Sequence, residues 1–530
     1  MGDLPDEVDV VVVGAGAAGC VLAARLSEEA GCRVLLLEAG STTGLEPEAR
    51  TPGAAMRLWT GPTSWGDTSV PQPALGGRRV TLPQGRGLGG GSSINGMAWF
   101  HGYPADYDAW QAGGAHGWAW KDVRPVFRAI EHNDLGDAEW HGFDGPMRVS
   151  RVRDASALAL SFVAAGAEIG LPVVEDFNGA DREGIGLLQA NINDGTRHSV
   201  VDGYLLPAAG RPNLTIRAKA LVTSIVVESG RATAVQCVDA QGVRRRVVAR
   251  RSIVVAAGAI RTPQLLMLSG IGMPSHLRKL GIDVVHDLPA VGADLQDHPL
   301  ATTVWPVVDG SPLWSTTSDA DARAYQLLRR GPLASFTQAT AKLRTREDLP
   351  GPNIQLTLAL TALDSNRRAY PEPALTCSVS LLTPTSRGEV RLASADPTDA
   401  PLVDPGYLRA RADREDLLEG LRLARRLFQG PALKAATGGQ ALDPPAWDEE
   451  SLGTFIRDRG GSEWHPVGTC RMGTDSAAVV DSTTMEVNGV LGLHIADASV
   501  MPAIPRANTH APTIMIAERA AQLIREAGAR

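Results

Sequence analysis

Apolar positions along this chain fall into two kinds of pattern. Unbroken runs, Val10-Val11-Val12-Val13, Val34-Leu35-Leu36-Leu37 and Ile253-Val254-Val255-Ala256-Ala257, predict strands buried on both faces. Segments 353–360 and 375–382 alternate apolar with polar, as half-buried antiparallel strands do. Segments 214–227, 232–238 and 246–255 predict a small antiparallel layer that returns to the main sheet. Helical spacing predicts amphipathic helices over 155–169 and 413–428, the latter through Leu417, Leu418, Leu421, Leu423, Leu427 and Phe428. Near the C-terminus a strand over 492–498 precedes a helix over 513–526. Strand–helix pieces at both ends with a strand-rich block between them predict an α/β fold in which one domain interrupts another.

The junctions between the first elements carry chemistry. Gly14-x-Gly16-x-x-Gly19 turns the valine run into a helix predicted over 17–29, opened by Ala17 and Ala18. The next run ends on Glu38 and Ala39. Gly14 suits a tight turn, Gly16 the approach of a pyrophosphate to bare backbone, and Gly19 close packing of helix on strand. The helix N-terminus offers free N–H groups to phosphates, and Glu38 stands where a carboxylate accepts from ribose hydroxyls. This is the fingerprint of a dinucleotide site on a Rossmann-like domain, and by itself it does not separate FAD from NAD.

At 530 residues the chain exceeds one ordinary core. A net charge of −8 and a pI near 5.8 exclude a nucleic-acid footprint. No run approaches the ~18 apolar residues of a membrane span. The acidic start, Asp3-Leu4-Pro5-Asp6-Glu7, is unlike a signal peptide. Five cysteines, odd in number and without a CxxC pair, read as reduced thiols of a cytoplasmic bacterial protein, with no metal site. A long Pro/Gly/Ser/Thr stretch at 40–81 predicts a functional or ligand-bound loop. It leads into Gly85-Arg86-Gly87-Leu88-Gly89-Gly90-Gly91-Ser92-Ser93-Ile94-Asn95-Gly96, backbone folded tightly around something.

That glycine-rich segment, with Trp99, Gly102 and Asp108, resembles the first signature of the glucose–methanol–choline (GMC) oxidoreductases. Gly258-Ala259-Ile260-Arg261-Thr262-Pro263-Gln264-Leu265-Leu266-Met267-Leu268-Ser269-Gly270-Ile271-Gly272 resembles the second. Val291–Pro299, Pro384–Gly388 and His465–Gly473 extend the likeness over nearly the whole chain. The resemblance implies FAD as cofactor. It also implies an FAD-binding domain of 1–154, 206–304 and 461–530, with a substrate-binding domain of 155–205 and 305–460 on an antiparallel sheet.

Removing a hydroxyl proton while hydride leaves the carbinol calls for a base that titrates near neutrality, which favours histidine. By resemblance, His465 is the general base facing flavin N5, and His510 its hydrogen-bonding partner, at a position where many relatives carry Asn. Two adjacent histidines disfavour double protonation. Ile94 stands where some relatives carry the histidine tethered to the flavin, so FAD is expected to be noncovalent; the register of His101 does not suit it as a substitute. Asp297-His298-Pro299 is expected to fix a domain-junction loop. Cofactor contacts implied by position are Gly14, Gly16, Ala17, Ala18, Gly19, Glu38, Ala39, Gly89, Asn95, Gly96, Met97, Ala98, Val222, Trp464, Asp497, Ala498 and His510. The implied reaction is oxidation of an uncharged primary alcohol, with oxygen or a quinone- or dye-like molecule as final acceptor. The alternatives are a hydroxynitrile lyase-like activity or photodecarboxylation on the same scaffold.

Overall fold

The valine run becomes the strand Glu7–Val13, paired in parallel with Val34–Leu37 on one side and Arg244–Val255 on the other. The computed structural model describes residues 4–135, 137–311, 313, 317–362, 370 and 372–528. Within the expected substrate-binding segment, positions 312, 314–316, 363–369 and 371 lie outside the described residues. Leu214–Arg217 extends the sheet beyond Val34–Leu37, and Leu493–Ile495 pairs in parallel with the end of Arg244–Val255. The register sets Val13 opposite both Leu37 and Val255, Arg217 opposite Leu37, and Ile495 opposite Val255. Parallel strands drawn from four distant parts of the chain therefore stop at one level, and whatever follows them shares one crevice.

Arg244–Val255 belongs to two layers. Its first half carries the exposed Arg244, Arg245 and Arg246 and pairs antiparallel with Arg231–Val238, which pairs with Leu221–Glu228. Its second half, Ile253-Val254-Val255, is fully buried in the parallel sheet. The segment predicted as one piece over 214–227 is split. Lys219 adopts a left-handed conformation at φ 58° and donates its N–H to Gly40 O, while Ala220 N–H donates to Glu38 O. The break sends Leu214–Arg217 into the parallel sheet and only Leu221–Glu228 into the antiparallel layer.

The first helix runs Ala17–Leu26, shorter than the 17–29 expected, because Asn213 Nδ2 donates to the carbonyls of Ser27, Glu29 and Cys32 and holds them in a turn. Its start is as tight as the glycines suggest. A Cβ on Gly19 would lie 1.8 Å from Gly14 O, and one on Gly14, itself at φ 96°, 2.6 Å from Ala256 O.

The second sheet has six antiparallel strands in the order Gly461–Ser462, Pro299–Pro306, Ala374–Leu381, Ile354–Ala359, Ala339–Leu343, Gly184–Leu187. The strand Pro299–Pro306 runs across 304/305, where the sequence suggested a domain boundary, and Ser462 reaches back to pair with Pro299. Segments expected in the FAD-binding domain, 206–304 and 461–530, thus supply strands to the second sheet. One face of the second sheet, through Ala301, Leu356 and Val379, packs on the helices Ala157–Glu168 and Arg411–Phe428 in a single apolar cluster. Trp305 stacks on Phe428 with centroids 4.1 Å apart. Each such fully buried side chain contributes about 1.5–3 kcal/mol. The opposite face looks back toward the strand ends of the first sheet.

Candidate active site

Between the two sheets lies a cavity of about 740 Å³, walled by the residues that follow the parallel strands and by the open face of the antiparallel sheet. Gly14, Gly16, Ala17, Ala18, Glu38, Ala39, Asn95, Gly96, Met97, Ala98, Val222, Trp464, His465, Asp497, Ala498 and His510 all line it. Gly19 and Gly89 do not. Gly19 is spent on helix–strand packing, and Gly89 donates its N–H to Ala15 O and lies against Ser93. The stretch 40–81, expected as a functional loop, contributes Met56, Trp59, Trp65 and Val80 to the wall.

Glu38, the acid expected at a ribose, has a structural part of its own. Its carboxylate accepts from Ala15 N–H at 2.8 Å and Gly40 N–H at 2.7 Å, so it also holds the glycine turn in shape. Asp497 accepts from Gly258 N–H, Thr262 Oγ1 and Ser499 N–H, which ties the last parallel strand to the helix Gly258–Leu268. Asn95 Oδ1 accepts from Met97 N–H and from Arg197 Nη1. Met97 and Trp464 face the cavity with φ 64° each, conformations that non-glycine residues hold only under constraint. Ile94 is buried in the wall, while His101 lies outside it, its Nε2 2.6 Å from Glu131 Oε1 in a separate buried network. Trp99 Nε1 donates to the same carboxylate and stands edge-on to His510.

The sequence pointed to His465 and His510, and both reach the cavity, but the groups that touch His465 are others. Its Nε2 lies 3.2 Å from Asn508 Nδ2, and its Nδ1 lies 3.0 Å from Nδ1 of His298. Asn508 Oδ1 in turn faces Gln355 Nε2 at 3.5 Å. His510 opens the helix His510–Gly528, and neither of its ring nitrogens has a hydrogen-bond partner among the described residues. Asp297 anchors the group: it accepts from the backbone N–H of His298 and His465, from Tyr407 Oη and from Ser462 Oγ. The expected loop-fixing role of Asp297-His298-Pro299 therefore falls to Asp297, and His298 contacts the candidate base directly. Asn508 stands two residues before His510 in the same loop, which is the only hint of it in the sequence.

Burial governs the ionisation of this cluster. It pushes His465 down to about 3 and, with help from the nearby Arg197 guanidinium, His510 to about 3; His298 falls well below its ordinary range by burial and by its facing of His465. Burial also raises Asp297 to about 6, against the pull of Ser462 and Tyr407. All three imidazoles are thus neutral near pH 7, and His465 is held well below the near-neutral titration expected of a base from the sequence.

A cavity lined by bare backbone at a helix N-terminus, a buried carboxylate and neutral imidazoles has the groups that a dinucleotide-dependent oxidoreductase needs. Residues 8–300 and 384–517 match the two sequence models of GMC oxidoreductases, and the chain belongs to that family. It is 37% identical to an alcohol dehydrogenase (acceptor) of Pseudomonas putida, over 97% of this chain and 95% of the relative. It is 36% identical to the mitochondrial choline dehydrogenase of Mus musculus, over 98% and 90%. Among solved structures, pyridoxine 4-oxidase from Mesorbium loti superposes with a TM-score of 0.89 at 31% identity, covering 97% of this chain and 98% of that one. The family is FAD-dependent, and the cavity fits that group. Open space faces the Cα positions of Gly16, Gly91 and Gly258 where a Cβ would project, and the orphaned nitrogens of His510 face the same space.

Two outcomes are expected. Glu38→Ala should lower both flavin retention and melting temperature, since each lost charged hydrogen bond costs about 1.5–3 kcal/mol; flavin content per chain and thermal unfolding measure this, and unchanged values would remove Glu38 from the cofactor site. The second concerns acid. Between the ordinary histidine value of 6.5 and about 3, the unfolded chain binds protons that folded His465 and His510 do not. Their contribution to stability is present above 6.5 and lost as pH falls below it. Urea midpoints from pH 7 to pH 4 should decline less steeply for His510→Asn than for the wild type.

Proposed function

We propose that this protein oxidises an uncharged primary alcohol to the aldehyde, with His465 as general base and noncovalently held FAD as oxidant. The supporting observation is the hydrogen-bond chain through the His465 ring. Gln355 Nε2 donates to Asn508 Oδ1, which leaves Asn508 Nδ2, a pure donor, against His465 Nε2. With that amide assignment, Nε2 carries the lone pair and Nδ1 the ring proton. The Nδ1–H then donates to Nδ1 of His298, itself 1% exposed. The substrate hydroxyl displaces the Asn508 amide from the His465 Nε2 lone pair and gives its proton to it. The imidazolium that results keeps its Nδ1–H bond to neutral His298, which steadies the new charge. His510 donates to the substrate oxygen from the other side of the cavity, and the Asp297 contacts hold the His465 backbone in place. FAD supplies the hydride acceptor when bound. Because some relatives are named dehydrogenases and others oxidases, oxygen and a quinone-like dye are both candidate final acceptors.

His465→Ala should bind FAD and fold as the wild type does, while anaerobic flavin reduction by an alcohol slows about 10²–10⁴-fold. His510→Asn should be milder. The double variant should lose less than the product of the two single losses, since both residues act on one proton. Reduction at near wild-type speed in His465→Ala would place the base elsewhere. Failure of any alcohol to bleach the flavin would favour a lyase or photochemical role.

The buried isoleucine at position 94 supports noncovalent attachment. Acid precipitation should release the yellow colour into the supernatant. Colour that remains with the pellet, or a denatured chain heavier by the mass of FAD, would refute this.

A further inference from the structure

The six-stranded sheet turns two unlike faces to its surroundings. Ala301, Leu356 and Val379 pack on helices, but the next residues along, Thr302, Thr357 and Ser378, form one cross-strand row on the cavity side. The adjacent row holds Gln355, opposite Ser380. Strand faces inside a protein are ordinarily apolar, and buried polar groups ordinarily have partners.

Gln355 carries an unmet acceptor in this wall. It lines the cavity yet is only 4% exposed. Its Nε2 donates to Thr357 Oγ1 at 3.2 Å and faces Asn508 Oδ1 at 3.5 Å. Its Oε1 is buried and has no hydrogen-bond partner among the described residues. Since Asn508 bridges to His465, this unmet acceptor stands one side chain away from the proposed base. Leaving such a group unsatisfied is costly, and a donor brought by the substrate removes the cost.

We infer that Gln355 Oε1 is a substrate-recognition acceptor, and that the site, on the reading of alcohol oxidation above, selects alcohols bearing a second O–H or N–H donor within a few bonds of the reacting carbinol. A plain alkyl alcohol fills the same space but leaves the acceptor unmet. Thr302, Thr357 and Ser378 supply further hydrogen-bonding capacity on the same wall for the remainder of a polar substrate.

The test uses the holoenzyme and isosteric alcohols: n-propanol, ethylene glycol and ethanolamine, with n-pentanol and tetramethylene glycol as a longer pair. Anaerobic flavin reduction should give at least one donor-bearing alcohol a kcat/KM roughly five- to a hundredfold above its alkyl isostere. The glycol arm tests a neutral O–H donor against its alkyl isostere, and ethanolamine, an ammonium near neutral pH, tests whether charge adds to recognition of the donor. Gln355→Met should abolish most of that preference at unchanged FAD content. Gln355→Glu, which keeps an acceptor and adds charge, should shift the preference toward ethanolamine, and it serves if the methionine variant does not fold. Equal use of the isosteres, or a preference untouched in both Gln355 variants, overturns the inference while leaving alcohol oxidation standing. A flavin that no alcohol bleaches overturns both.

Discussion

The register of the parallel sheet is the constraint on which the rest depends. Val13 opposite Leu37 and Val255, with Ile495 opposite Val255, brings the strand ends to one level. A slip of one residue in any of these pairings would move every side chain of that strand to the other face. It would also move Gly14, Glu38, Ala256 or Asp497 out of the shared crevice. The valines and leucines that enforce the register are fully buried, so the same burial that stabilises the sheet positions the cofactor cradle.

The catalytic end is organised by polar contacts instead. Asp297, 4% exposed, gathers donors from two backbone amides and two hydroxyls that belong to three separate segments. A buried carboxylate is expensive unless its lone pairs are met, and here satisfying them fixes the loop that carries His465. From that loop a run of side chains, His298, His465, Asn508 and Gln355, links the edge of the antiparallel sheet at Pro299 to its central strand Ile354–Ala359. Within this group Gln355 Oε1, His298 Nε2 and both ring nitrogens of His510 have no hydrogen-bond partner among the described residues, and Gln355 and His510 line the cavity.

The two sheets are bound together by chain sharing more than by a simple interface. Pro299–Pro306 follows the Val291–Pro299 segment into the antiparallel sheet, and Ser462 returns from that sheet to the His465 loop. The histidine loop is therefore covalently continuous with an edge strand of the substrate wall. Motion of the wall relative to the base is limited accordingly, as a site that must orient both hydroxyl and carbinol requires.

Local pattern was enough to reveal much of this. The valine run, the Gly14-Gly16-Gly19 turn and Glu38 lie within one βα unit, where short-range sterics and hydrogen bonding determine the geometry. The amphipathic helices and alternating strands were legible for the same reason, since the period of a pattern is set by the residues themselves. What local pattern could not decide were the features made by long-range partners. Lys219 took a left-handed conformation because its N–H met Gly40, and Asn213 ended the first helix early by capping carbonyls far away in sequence. The sequence pointed to two histidines as a pair, yet folding set Asn508 and His298 against His465, through contacts between residues 43 and 167 positions apart. Spacing along the chain determined the dinucleotide-type fold and the acid that ends its second strand; which side chains surround His465 was decided by tertiary packing, because hydrogen-bond partners across a cavity are chosen by where strands and loops meet in space.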